Sequence, residues 1–299
     1  MKVVITGSLG HISKPLTNEL VQKGHEVTVI SSKPEKQNDI EALGATAAIG
    51  NLEDVDFLTA IFTGADAVYL IVPPVDFFDH SLDITAYYKK LGNNYVQAIQ
   101  QSGVKRIVYL SALGAHLDKV SGFLYYISHE VENILKQLPG DVSITFLRPA
   151  GLYYNLFFFV SAIKTRGQMM SIYGGDEKEL WASPKDVAGA VAEEIEIKNG
   201  PDRKIRYVAS DEVTPNIMAE ILGEAIGKPD LKWVTISDEQ WLKALISAGM
   251  NPNSAKGLVE QNACKRGGVL FEDFYKNKPT FGKVKMKDFA KEFAAAFLA

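Results

Sequence analysis

The stretch KVVITGSLGHISKPLTNELVQK, residues 2–23, decides the fold. Its β-branched start, Lys2–Thr6, reads as a strand. Its end has helical spacing to about Lys23. Between them, TGSLGHIS (Thr6–Ser13) places Gly7 and Gly10 on the first two glycines of a G-x-x-G-x-x-G loop, with Ser13 where the third would stand. Gly7 is expected to permit a tight turn, and Gly10 to let the backbone approach a pyrophosphate. Ser13 keeps helix and strand close at some packing cost. The free N–H groups and the positive dipole end of the helix would meet the phosphates. A glycine pattern alone is a weak signal; its place after a strand and before a helix gives it weight.

The second strand ends Val29-Ile30-Ser31-Ser32-Lys33-Pro34. An NAD-preferring site needs a carboxylate here for the ribose 2′-hydroxyl, and no acid appears before Glu35. Ser31, Ser32 and Lys33 suit a 2′-phosphate instead. NADP(H) is therefore expected in preference to NAD(H).

Working outward, strands are predicted at Glu26–Ile30, Ala45–Ile49, Ala67–Val72, Arg106–Ser111, Ser143–Arg148 and Lys204–Ala209. In 84–101, Ile84, Tyr88, Leu91, Tyr95 and Ile99 form one apolar helical stripe. Near-continuous apolar strands separated by helices indicate a doubly wound parallel α/β sheet of the Rossmann kind. From about Asp211 helices dominate, at Thr214–Ile226, Ser237–Ala248 and Lys287–Leu298, with a short strand at Leu231–Ile236. The division expected is a dinucleotide-binding unit over 1–210 and a smaller, mostly helical substrate lobe over 211–299, to which 151–180 partly contributes.

The 299 residues are 46% hydrophobic and 23% charged with net charge −4, the balance of an ordinary globular chain. One cysteine, Cys264, excludes a disulfide framework, and five histidines without HxxxH or HExxH spacing speak against a metal site. No signal-peptide pattern, no apolar run of membrane-spanning length and no dense basic block are present. The expectation is a cytoplasmic protein that binds neither membrane nor nucleic acid.

Several segments together resemble the NmrA-like branch of the atypical short-chain dehydrogenases/reductases: ITGSLGHIS, GNLEDVDFLTAIFTGADAVYLIVPP, GVKRIVYLSALGA, HEVENILK and ITFLRPAGLYYN. Order and spacing match over roughly Met1 to Ala209, and GKVKMKDFAKEF resembles the family's tail. The resemblance implies a Rossmann fold with a small C-terminal lobe and NAD(P) lying across the carboxyl ends of the strands. It implies Gly7, Leu9, Gly10, His11 and Ile12 as the phosphate loop. Asn51 and Leu52 stand where relatives carry Asp-Leu beside the adenine. Val72-Pro73-Pro74 would pass behind the nicotinamide ribose, and Ser111 matches the active-site Ser/Thr.

Short-chain dehydrogenases use Ser and Tyr-x-x-x-Lys. Here Tyr125 is followed at the fourth position by His129, with Ser128 as an alternative equivalent of the lysine. Ser111, Tyr125 and His129 are thus the candidate catalytic residues. A neutral histidine activates tyrosine less than a permanent cation, which points to an intrinsically electrophilic substrate. Tyr153, Tyr154, Asn155 and Phe157–Phe159 follow the sixth strand as candidate pocket walls; Tyr153 is also expected at the cofactor. A small flat molecule such as a quinone fits aromatic walls. The resulting expectation is an NADPH-dependent reductase of quinone-reductase type. Its rival is a non-catalytic NADP(H) redox sensor acting through a regulator protein, and a homodimer suits either. An epimerase with tightly held NAD is the weaker third reading.

Overall fold

The computed structural model describes residues 1–117, 123–197, 202–277 and 279–299. Strand–helix alternation runs β1 (Lys2–Ile5), α1 (Ser13–Gln22), β2 (Glu26–Ser31), α2 (Gln37–Glu41), β3 (Thr46–Ile49), α3 (Val55–Phe62), β4 (Ala67–Leu70), α4 (Ile84–Ser102), β5 (Arg106–Leu110), α5 (Phe123–Leu135) and β6 (Ser143–Pro149). There follow β7 (Gly151–Leu152), α6 (Val160–Arg166), β8 (Gln168–Ser171), β9 (Glu179–Ala182), α7 (Pro184–Glu196), β10 (Arg203–Val208) and β11 (Asp211–Val213). The chain ends with α8 (Pro215–Ala225), β12 (Lys232–Thr235), α9 (Asp238–Ser247), α10 (Pro252–Ala263), α11 (Glu272–Asn277) and α12 (Met286–Leu298).

Seven strands form one parallel sheet in the order β10-β6-β5-β4-β1-β2-β3. The order reverses between β1 and β4, where Val3 pairs with Ala67 and Ile5 with Tyr69. That switch point is where the carboxyl ends of a doubly wound sheet open a crevice for a ligand. Two apolar clusters cover the sheet's faces. One joins α1 and α7 to Val3, Ile5 and Tyr69; the other joins α3, α4 and α5 to Val4, Val68 and Ile107. The predicted stripe of α4 is buried throughout.

A third cluster gathers Tyr153, Trp181, Met218, Trp233 and the buried face of α12. Two small sheets, β11-β9-β7 and β12-β8, lie in this part of the chain. Most of their strands escape the sequence reading: β7, β8, β9 and β11 are two to four residues long, too short for a period to register. Among the described residues no helix is long and apolar enough to cross a membrane.

Candidate functional site

A cleft of about 620 Å³ lies at the switch point, floored by the Thr6–Ser13 turn and the ends of β2 and β4. Gly7 has no space for a side chain. A Cβ there would overlap Ser13 Oγ and come 2.9 Å from Ile71. So Gly7 and the buried Ser13 are one packing solution that presses α1 onto the strand. A Cβ on Gly10 would meet only the Gly7 carbonyl, at 3.3 Å, so its outer side is open to a ligand. The turn's positive φ falls on Ser8 (49°) rather than on Gly7, which corrects the expected division of labour. Ser8 is held there by its N–H on the Ile30 carbonyl (3.1 Å) and its hydroxyl on Ser31 Oγ (3.0 Å). The N-terminus of α1 has no side-chain cap and no acid in its first turn. Its free N–H groups and positive dipole end therefore suit an anion. A close backbone approach and an uncapped helix end together fit a dinucleotide pyrophosphate.

At the β2 end, Ser32, Lys33 and Lys36 border the cleft. Ser31 also borders it, but its hydroxyl already takes the Ser8 hydroxyl and the Lys33 N–H (3.2 Å). It acts as a latch between loop and strand. Lys36, overlooked in the sequence, comes one helical turn after Lys33 and is paired with Asp39 at 2.9 Å. Asn51 and Leu52 lie on the rim, where Asn51 Oδ1 accepts the Glu53 N–H (3.0 Å) in a local turn.

The far end is walled by Ile71, Pro73, Leu110, Leu152 and Tyr154. Two tyrosines of the α4 stripe set the wall: Tyr95 donates to the Ile71 carbonyl (2.8 Å) and Tyr88 to that of Pro73 (3.1 Å). His11 stacks on Tyr154, centroids 4.3 Å apart. Three expected cofactor contacts fall outside the cleft. Val72 packs against the second apolar cluster instead. Tyr153 is buried, stacks on Phe289 and donates to the Val284 carbonyl (3.1 Å), so its neighbour Tyr154 takes the wall position. Adjacent residues of a tight turn face different sides, and the Tyr-Tyr pair left that choice open. Phe157 and Phe159 likewise pack against α12 and Trp233.

Ser111 is the third displacement. It is 8% exposed and donates to Glu132 Oε1 at 2.6 Å. Glu132, wholly buried, is gripped by Arg148 through Nε (2.9 Å) and Nη2 (2.7 Å). Arg148 continues to the Tyr207 hydroxyl, which donates to Asp273. Burial disfavours the charged guanidinium, but Glu132 outweighs it and raises the Arg148 pKa. Ser111 thus anchors to a buried ion pair joining β5, α5, β6 and β10 rather than facing the cleft.

Tyr125 and His129 share a face of α5. The Tyr125 ring lies over Gly114, whose Cβ position is 2.5 Å away. Burial pushes its phenol above the usual range, against the pull of Lys265. His129 donates Nδ1–H to the Ala115 carbonyl (3.0 Å). A carbonyl can only accept, so the neutral ring keeps its lone pair on Nε2. Ser128 stands beside it, half-buried. Among the described residues no group of three or more His, Cys, Asp or Glu could hold a metal. Cys264 is half-buried and donates to the Glu260 carbonyl at 3.1 Å.

A family model described as NAD(P)H-binding matches residues 7–196, more than half the chain. An NAD(P)H azoreductase of Xenophilus azovorans is 22% identical over 259 residues, covering 86% of this chain and 85% of that protein. In three dimensions the chain is similar to an NADPH-dependent quinone oxidoreductase of Escherichia coli complexed with NADPH, with TM-score 0.80 and 22% identity over 97% and 99% of the two chains. It is also similar to the triphenylmethane reductase of Citrobacter sp. complexed with NADP(H), with TM-score 0.75 and 20% identity over 98% and 99%.

Proposed function

Because the chain belongs to the NAD(P)H-binding family, we propose that it is an NADPH-dependent reductase of a flat, electrophilic aromatic, a quinone or an azo dye. The observation that carries the reading is the cleft itself. It runs from an acid-free, lysine-bearing strand end, through an uncapped helix N-terminus, to an apolar wall closed by Tyr154. The reduced nicotinamide supplies a hydride. The chain's part is to hold and orient. The α1 N–H groups take the pyrophosphate, and Ser32, Lys33 and Lys36 take the 2′-phosphate by charge-assisted contacts. Ile71 and Pro73 back the reactive ring, while Tyr154 on His11 keeps water from the opposite side. With its Nδ1–H on Ala115, His129 offers only an Nε2 lone pair, which accepts from the O–H or N–H of the reduced product, so on α5 only the Tyr125 phenol can donate to the oxidised substrate's oxygen or nitrogen. NADPH oxidation with a panel of quinones and azo dyes tests the reading. Lys33→Glu should weaken NADPH at least ~10-fold, about 1.4 kcal/mol, and spare NADH. Equal affinity of the native chain for the two would remove the cofactor preference.

One observation favours a second reading, a non-catalytic NADP(H) sensor: Ser111 and His129 both spend a hydrogen bond on internal partners. Tight NADPH binding with no turnover on any acceptor would select it.

A further inference from the structure

Among the described residues, four buried side-chain polar atoms lack a hydrogen-bond partner: Tyr69 Oη, Glu179 Oε1, Trp181 Nε1 and Gln261 Oε1. Three of them belong to one corner, where α5, β9 and the end of α10 meet. Glu179 and Trp181 are two apart on β9 and share a face. They are 2% and 4% exposed. Gln261 precedes Lys265 by one turn at the end of α10, and α10 packs on α5. The Lys265 ammonium ties the corner together. It lies 2.9 Å from Glu179 Oε2, 4.1 Å from the centroid of the Tyr173 ring and 5.4 Å from that of Trp181. The charges of Lys265 and Glu179 both act on the Tyr125 phenol.

A buried donor or acceptor without a partner is costly, so native proteins leave few of them. Two unpaired acceptors and one unpaired donor beside a cation, between aromatic rings, have the composition of a subsite rather than of a core. The corner also abuts the cleft. A Cβ on Gly151 would touch the Trp181 ring at 3.3 Å, and the next residue, Leu152, is cleft wall. Tyr125, half-buried, is the member on the α5 side.

We propose that Glu179, Trp181, Gln261 and Lys265 form a polar subsite for the oxygen of a phenolic or quinonoid ring, walled by Tyr125 and Tyr173. An oxygen that both donates and accepts, such as a hydroquinone hydroxyl, satisfies the Trp181 N–H and one of the two free acceptors at once. Lys265 favours that oxygen as it gains negative charge. The proposal rests on the reductase reading and names its substrate class.

The test separates the two by using a complex that holds no hydride and so cannot turn over. 4-Nitrophenol is titrated calorimetrically into the protein loaded with NADP+. Trp181→Phe and Gln261→Met each keep shape and remove one polar atom, and NADPH affinity serves as the check on folding. The expected result is binding by the native chain, weakened at least ~5-fold in each variant, with NADPH affinity unchanged. Gln261→Met should at the same time raise Tm, because it removes an unpaired buried polar group. A purely structural glutamine would instead lower Tm. No binding by the native chain, or equal binding by all three, overturns the subsite whatever the quinone assays show. Turnover of quinones with no 4-nitrophenol binding would leave the reductase and remove the subsite.

Discussion

At the residue scale, the two glycines of the first turn separate structure from ligand binding. Gly7 is required by Ser13 and Ile71, Gly10 by nothing within the protein except the Gly7 carbonyl. Gly7→Ala should therefore cost about 1–3 kcal/mol through overpacking, read by denaturant unfolding. Gly10→Val should leave stability within about 1 kcal/mol and lower NADPH affinity at least ~10-fold, about 1.4 kcal/mol. A folded Gly10→Val protein with native affinity would show that no pyrophosphate crosses this turn. The motif was legible because spacing carries it, whereas the strain on Ser8 was not: φ is fixed by the Ile30 carbonyl and Ser31, over twenty residues away. The same limit explains Ser111. Its place at the end of β5 can be read from the chain, but its partner Glu132 lies on another element.

At the element scale, the doubly wound sheet and the α4 stripe are legible, since β-branched, apolar runs alternate with helices along the chain and α4 repeats its spacing over about five turns. The small strands and the corner at α10 are not, because they are defined only by what packs on them. α5 illustrates both cases. Its apolar face is visible in sequence, but Glu132 on the same helix is a charge with no exposure at all. Such a residue persists because Arg148 and Ser111 satisfy it, with the Lys136 ammonium 3.6 Å from Oε2. Glu132→Ala removes the bidentate partner of the buried Arg148 guanidinium, leaving it Tyr207 and the Asp273 carboxylate at 3.7 Å, and should cost about 3–5 kcal/mol, while Ser111→Ala removes one hydrogen bond to a charged group, about 1.5–3 kcal/mol. Urea unfolding measures both; a Ser111→Ala loss exceeding that of Glu132→Ala would contradict the network. A second element-scale consequence concerns α7. Burial would raise the carboxyl pKa of Glu194, but hydrogen bonds from Lys204, Thr145 and Arg206 outweigh it and lower the net value. A carboxylate with depressed folded pKa adds stability above its unfolded pKa, near 4.5, and loses it as pH falls through the lower folded value. Glu194→Gln should therefore lose stability at neutral pH and show a shallower decline below about pH 4.5 than the native chain. Parallel acid limbs in the two proteins would refute that assignment.

At the scale of the whole molecule, Asp186 clasps the C-terminal segment to the sheet. Its Oδ2 accepts from the Ser210 hydroxyl (2.6 Å) and the Val284 N–H (3.0 Å), its Oδ1 from the Lys283 N–H (3.1 Å). Gly282 is there because a side chain would strike that carboxylate, and its N–H reaches the Ala209 carbonyl at 2.8 Å. From the clasp, the Val284 carbonyl receives the Tyr153 hydroxyl, and the next residue is the cleft wall Tyr154. The tail is thus two side chains from the cleft without entering it. Asp186→Ala loses three bonds to a charged acceptor and should cost roughly 2–4 kcal/mol. A ligand at 100 times its Kd stabilises the folded state by about 2.7 kcal/mol, provided it binds only that state. If the clasp supports the fold alone, NADPH should raise the unfolding free energy of Asp186→Ala by the same increment as that of the native chain. If the increment falls by more than half at matched NADPH concentration, the tail governs the position of Tyr154, and Asp186 belongs with the residues that shape the cleft.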